Sequence, residues 1–297
     1  MFATGAGMSF YDLFIMPFAD FDFMRRGLAG TLALALGATP VGVFLLLRRM
    51  SLMGDAVSHA ILPGAALGYL ACGLSLSAMT IGGIAAGLTV VFAAGLVART
   101  SNLKEDASLA AFYLLSLAAG VTIMSQSGRN LDLLHVLFGS VLALDDASLL
   151  LIAAIASISL FGIALLLRPL TLECLDPAFL RAVSRMSPLA HYGFLLLAVL
   201  NLVSGFHALG TLMAVGIMIL PAASARLWAR KLSTMLALAA GLALVGGVIG
   251  LLLSFHTNVP AGPAIILVCG LAYFISLLAA PGGLIAPRWP NQRHLKS

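Results

Sequence analysis

Ala147-Ser-Leu-Leu-Leu-Ile-Ala-Ala-Ile-Ala-Ser-Ile-Ser-Leu-Phe-Gly-Ile-Ala-Leu-Leu-Leu167 runs twenty-one residues without a charge and stops at Arg168. A stretch of about 20 apolar residues matches the hydrocarbon thickness of a bilayer. Similar windows recur at about 28–47, 56–76, 78–98, 107–125, 188–207, 233–254 and 263–280. A ninth, 209–225, is short and holds Pro221, which predicts a broken span or a re-entrant segment inside the bundle. With 61% hydrophobic and 9% charged residues and a mean hydropathy of +1.09, the chain is far from a soluble domain. The predicted fold is therefore all-α: a polytopic transmembrane bundle of about nine spans, eight plus the short one.

The charges orient that bundle. Loops after odd-numbered spans carry Arg48, Arg49, Arg99, Lys104, Arg168, Arg181, Arg185, Arg226, Arg230, Lys231, Arg288, Arg293 and Lys296, which is 13 of the 16 basic residues. Arg25, Arg26 and Arg129 remain on the other side. The positive-inside rule then places the C-terminus in the cytoplasm and the N-terminus outside. The net charge of +5 is a topology signal, with no nucleic-acid partner implied. The expected organisation is an outer or interfacial segment 1–27, a membrane domain 28–280 and a cytoplasmic tail 281–297. Cys72, Cys174 and Cys269 stand singly and carry no assigned chemistry.

A charge inside a span costs about 2.5–3.5 kcal/mol on insertion scales, so the few present need a reason. In Met50-Ser-Leu-Met-Gly-Asp55-Ala-Val-Ser-His59-Ala-Ile-Leu-Pro-Gly64, a carboxylate and an imidazole sit at i and i+4 and share a helix face. Their oxygen and nitrogen donors suit Zn²⁺, Mn²⁺ or Fe²⁺. Asp55 read as a plain N-cap of the second span is the competing explanation. Asp132 and His135 form an i, i+3 pair in the outer stretch 132–144, too short to span, and are a candidate metal relay. His207 and His256 fall at outer ends of spans, and His191, near the inner end of the sixth, is read as structural.

Segment 170–187 differs in character. Asp176 and Pro177 are an N-cap and an N1 proline. Phe179, Leu180 and Val183 are expected to share one face, with Arg181 and Arg185 paired at i, i+4. Such a helix must bury its apolar face in headgroups of membrane lipid or on a partner. No GxxxxGK[ST] loop, HExxH pair or GxSxG elbow occurs, so neither ATP hydrolysis nor an intramembrane hydrolase is legible here.

The run Arg48–Leu67 resembles the signature of the permeases of zinc, manganese and iron(II) ATP-binding-cassette importers. Leu137-Phe-Gly-Ser-Val-Leu-Ala143 is similar to that family's outer half-helix, and Asp176-Pro-Ala-Phe179 to its cytoplasmic segment. Ile219-Leu-Pro221-Ala-Ala-Ser-Ala-Arg226 resembles its proline-bearing span, and Pro260-Ala-Gly-Pro263 the entry to its last helix. The resemblance covers residues 28 to about 280. It implies a homodimeric, multi-pass permease of a bacterial inner membrane, served by two cytoplasmic ATPase subunits and an extracytoplasmic solute-binding protein. It further implies that Asp55 and His59 meet the metal in transit, with no permanently bound cofactor. Asp176, Pro177, Phe179, Leu180 and Arg181 would couple to the ATPase. His207 and Asn258 depart from the family's usual residues. The sequence places zinc ahead of manganese as cargo, and leaves a proton- or ion-coupled secondary metal transporter as the alternative.

Overall fold

The computed structural model describes residues 10–73, 75–101, 105–126 and 144–282. Among them there is no strand. Two short helices, α1 (Phe10–Phe14) and α2 (Met16–Asp20), lead into α3 (Asp22–Leu47). Then follow α4 (Met53–Cys72), α5 (Leu76–Thr100), α6 (Glu105–Gln126) and α7 (Asp146–Leu175). The short α8 (Pro177–Val183) precedes α9 (Ser187–Leu209), α10 (Thr211–Trp228), α11 (Leu232–Thr257) and α12 (Ala261–Ala279).

Seven of these helices, α3, α5, α6, α7, α9, α11 and α12, contain a segment long and apolar enough to cross a membrane. The other two long helices, α4 and α10, are the informative exceptions. α4 is diluted by Asp55, Ser58 and His59, and α10 offers only the apolar stretch Leu212–Trp228. Of the two expectations for this short segment, a break at Pro221 is corrected: α10 is one continuous helix through it. The break lies before it, at Gly210, whose φ of +88° is open to glycine and strained for other residues, and which lets α9 turn directly into α10.

α3 and α9 form the centre, their spanning windows 72% buried, against 17% for α6 at the periphery. Phe44 of α3 and Phe194 of α9 are fully buried and meet edge to face, centroids 6.2 Å apart. Around them α7, α10 and α11 pack on α3, and α4 packs on α5 and α6. Gly246 and Gly250 of α11 abut Cys269 and Ile265 of α12, as small-residue packing predicts, whereas Gly241 has open space beside it.

α7 extends eight residues past the span expected from sequence, continuing through Pro169 to Leu175. Its 30 residues measure about 45 Å, longer than a hydrocarbon core of about 30 Å, so segment 170–187 begins as helix continuing from the bundle. Its start is capped by Asp145, whose side chain accepts from the Ser148 N–H at 2.9 Å. Bonds from the Ser148 hydroxyl and backbone, with Arg26 nearby, hold the Asp145 carboxyl below the usual carboxylate range.

Candidate metal path and coupling face

α4 starts at Met53, with Leu52 at its N-cap and no side-chain cap bond, so Asp55 lies inside the first turn instead of capping it. This removes the capping explanation for Asp55. The helix is clamped on three sides. Gly54 faces Met218, Val215 and Ile219 of α10; Pro63 meets Gly120 of α6; and a Cβ on Gly64 would stand 2.0 Å from the Gly82 carbonyl oxygen of α5. Only glycine permits that last approach, which ties α4 and α5 into one unit. Ser58 returns its hydroxyl to the Gly54 carbonyl at 2.8 Å, and Ser116 of α6 donates to the Ala60 carbonyl at 3.2 Å.

The fourth side of α4 is open. Leu52, Asp55 and His59 follow one another at helical spacing, and the side chains of Asp55 and His59 are 70% and 35% exposed. Asp55 Oδ1 and His59 Nε2 are 3.7 Å apart, too far for a hydrogen bond, so neither donor atom is committed to the other. The imidazole lies nearly parallel to the Tyr113 ring of α6, centroids 6.2 Å apart, which orients it without using a nitrogen. A carboxylate and a nitrogen base thus project together from a clamped helix. Among the described residues no third His, Cys, Asp or Glu joins them. The pair Asp132 and His135 and the half-helix 137–143 lie outside the described residues, as does the His207 side chain. His256 approaches the Leu13 carbonyl with Nε2 at 3.1 Å, fastening the N-terminal segment to α11.

At the end of the bundle holding Arg48, a second group of polar residues is buried. Glu173 of α7 and Ser187 of α9 are 3% and 0% exposed, and the Ser187 hydroxyl donates to Glu173 Oε2 at 2.9 Å. Arg48, at the C-cap of α3, donates through Nη2 to His191 Nδ1 and lies over the Phe194 ring at 5.2 Å. Since a guanidinium can only donate, Nδ1 is the accepting nitrogen and the His191 proton sits on Nε2. Arg226 of α10 donates to the Leu46 carbonyl at 3.0 Å, covering the end of α3. Arg49 follows in the left-handed region, φ 60°, and turns the chain toward α4.

The Glu173 and Ser187 bond closes the base of the excursion that carries α8. Asp176 caps α8, Oδ1 accepting from the Phe179 N–H at 2.9 Å. The expected shared face is corrected: Leu180 is buried at 3% and anchors α8 to the bundle, whereas Phe179 and Val183 point outward. The helix ends at Val183, so Arg185 lies beyond it and the expected i, i+4 pair with Arg181 does not form on one helix. Glu173 and Ser187 were missed in the sequence; the visible signal was a lone carboxylate in the apolar run Leu170–Leu175.

Long apolar helices, a clamped helix with an uncommitted donor pair and an anchored amphipathic helix at one end define a polytopic membrane transport protein. The chain belongs to the ABC 3 transport family, whose model matches residues 20–280, and it is thus a multi-pass permease of the bacterial inner membrane, the transport component of an ATP-binding-cassette metal importer. It is 33% identical to the manganese import system permease protein ScaB of Streptococcus gordonii, over 95% of this chain and 97% of that protein. It is 31% identical to a probable iron transport system membrane protein of Haemophilus influenzae, over 91% of this chain and 97% of the relative. Among solved structures, PsaBC from Streptococcus pneumoniae in complex with Fab matches at a TM-score of 0.78 and 31% identity, over 95% and 97% of the two chains.

Proposed function

We propose that this permease passes a divalent first-row metal, manganese before iron, along the open side of α4, with Asp55 and His59 as transient ligands. The carrying observation is the Asp55 carboxylate, 70% exposed on the open side of a helix packed on its other three. Facing lipid, it would be a charge left without a partner at the membrane, which is costly. Facing a second copy of α4, it would meet another Asp55 and His59. Two like pairs repel until a cation enters, and four oxygen and nitrogen donors then suit Mn²⁺ or Fe²⁺. Two ligands per chain, unbonded to each other, hold the ion without trapping it.

The order of metals follows the relatives, named for manganese and for iron; the sequence's lean toward zinc finds no support in them. The basic end is cytoplasmic by the positive-inside rule. There Phe179 and Val183, outward on an anchored α8, dock separate ATPase subunits, and a binding protein delivers metal at the opposite face. ATP-driven motion of the partners shifts α8, and through α7 and α9 the bundle that clamps α4.

The test is uptake of labelled Mn²⁺ by proteoliposomes holding the complete importer. Asp55→Asn and His59→Gln are expected to abolish it while the chain still co-purifies with its ATPase. Uptake at the wild-type rate in either variant overturns the assignment.

A further inference from the structure

α7 and α11 both pack on α3, and a groove of 580 Å³ lined by residues of both lies beside Arg168. Leucines of α7 and α11, with Thr171 and Ser233, line it, and Arg168 is the one charged residue in the lining. The Thr171 hydroxyl is already used, donating to the Leu167 carbonyl at 2.7 Å. Lys231, exposed, immediately precedes the lining residue Leu232. Among the described residues, neither Arg168 nor Lys231 is paired with a carboxylate. The acids nearest in the chain are committed: Glu173 to Ser187, Asp176 to the Phe179 N–H.

We propose that this groove binds an anionic phospholipid of the cytoplasmic leaflet, an acyl chain lying along the leucines and the phosphate between Arg168 and Lys231. The groove opens at the side of the bundle, where lipid is the solvent. An apolar slot beside two uncompensated cations matches a ligand with an apolar tail and a net negative head. A zwitterionic lipid would supply the tail and leave the charge unmatched. A second copy seated on the same face would bring the same cations and no free acid. Because α7 continues from Leu172 through Leu175 into the α8 cap, the bound lipid lies beside the proposed ATPase-docking helix. That placement rests on the reading above, whereas lipid binding itself does not.

The test is native mass spectrometry of the purified full-length chain in detergent, titrated with phosphatidylglycerol or with phosphatidylcholine of the same acyl chains. Phosphatidylglycerol is expected to bind tighter. Arg168→Gln and Lys231→Gln should each weaken it by roughly fivefold, leaving phosphatidylcholine unchanged. Leu236→Trp, which fills the groove, should remove the bound lipid while circular dichroism confirms a folded chain. Equal affinity for the two lipids, full retention in the double charge variant, or displacement by millimolar inorganic phosphate alone would each overturn the proposal. So would loss of a chain dimer in Leu236→Trp with lipid binding unchanged, which would make the groove a contact between copies. Metal and ATP are absent from the assay, so its failure leaves the transport reading standing.

Discussion

His59 and His191 stand on neighbouring parts of one bundle, each close to a charged partner, yet their surroundings set them to opposite tasks. His191 is 3% exposed, accepts a hydrogen bond from Arg48 at Nδ1 and packs against Tyr192, so the fold holds the ring and uses its accepting nitrogen. His59 stands 3.7 Å from Asp55, oriented only by Tyr113 and open on one side. Buried polar groups that bond one another hold a structure together, and those left uncommitted are available to a ligand. The same contrast separates the carboxylates, Glu173 bonded and buried, Asp55 exposed and unbonded.

The largest expected break in this comparison is functional. Asp55→Asn or His59→Gln should abolish metal uptake and leave the thermal unfolding midpoint in detergent within error of wild type. His191→Leu should do the reverse in kind: about 2 kcal/mol less stable, because the Arg48 guanidinium loses an acceptor, with metal retention by the folded fraction intact. Ser187→Ala should cost about 1–2 kcal/mol by leaving a buried carboxylate short of a donor, read from the same unfolding curves.

The coupling helix sharpens the contrast between anchored and open residues. Phe179→Asp should weaken ATPase co-purification by roughly 30-fold, about 2 kcal/mol, without changing stability. Leu180→Asp should destabilise the chain itself, since that side chain is buried. The smallest effect is expected at Asp145, where the cap is largely solvated. Asp145→Ala should cost under about 1 kcal/mol. Its folded pKa lies below the ordinary carboxylate value, so the stabilisation is present above that value and is lost as pH falls through the folded pKa. The difference between wild type and Asp145→Ala should therefore vanish in acid.

Most of the bundle was legible in the sequence because length and hydropathy alone define a span. Arg48–Arg49 marked the end of α3 to within a turn, whereas α7 runs on past Arg168 through Leu175, since neither Arg168 nor Pro169 ends a helix whose next turns are apolar. Of the two readings of α10, a break at Pro221 fails because a proline interior to a bundle is tolerated once neighbours pack around it, and Gly210 supplies the turn instead. The pair at Asp55 and His59 was visible as a spacing, but its openness was not, as exposure depends on which side α5, α6 and α10 leave uncovered. Leu180 could not be told from Phe179 by hydropathy, because both are apolar and only tertiary packing separates anchor from docking surface.

Retention of labelled Mn²⁺ by the purified chain, measured side by side for wild type, His59→Gln and His191→Leu at matched folded concentration, tests the central distinction most directly. The expected result is retention by wild type and His191→Leu and loss in His59→Gln. Equal retention by His59→Gln, or equal loss in His191→Leu, would contradict it.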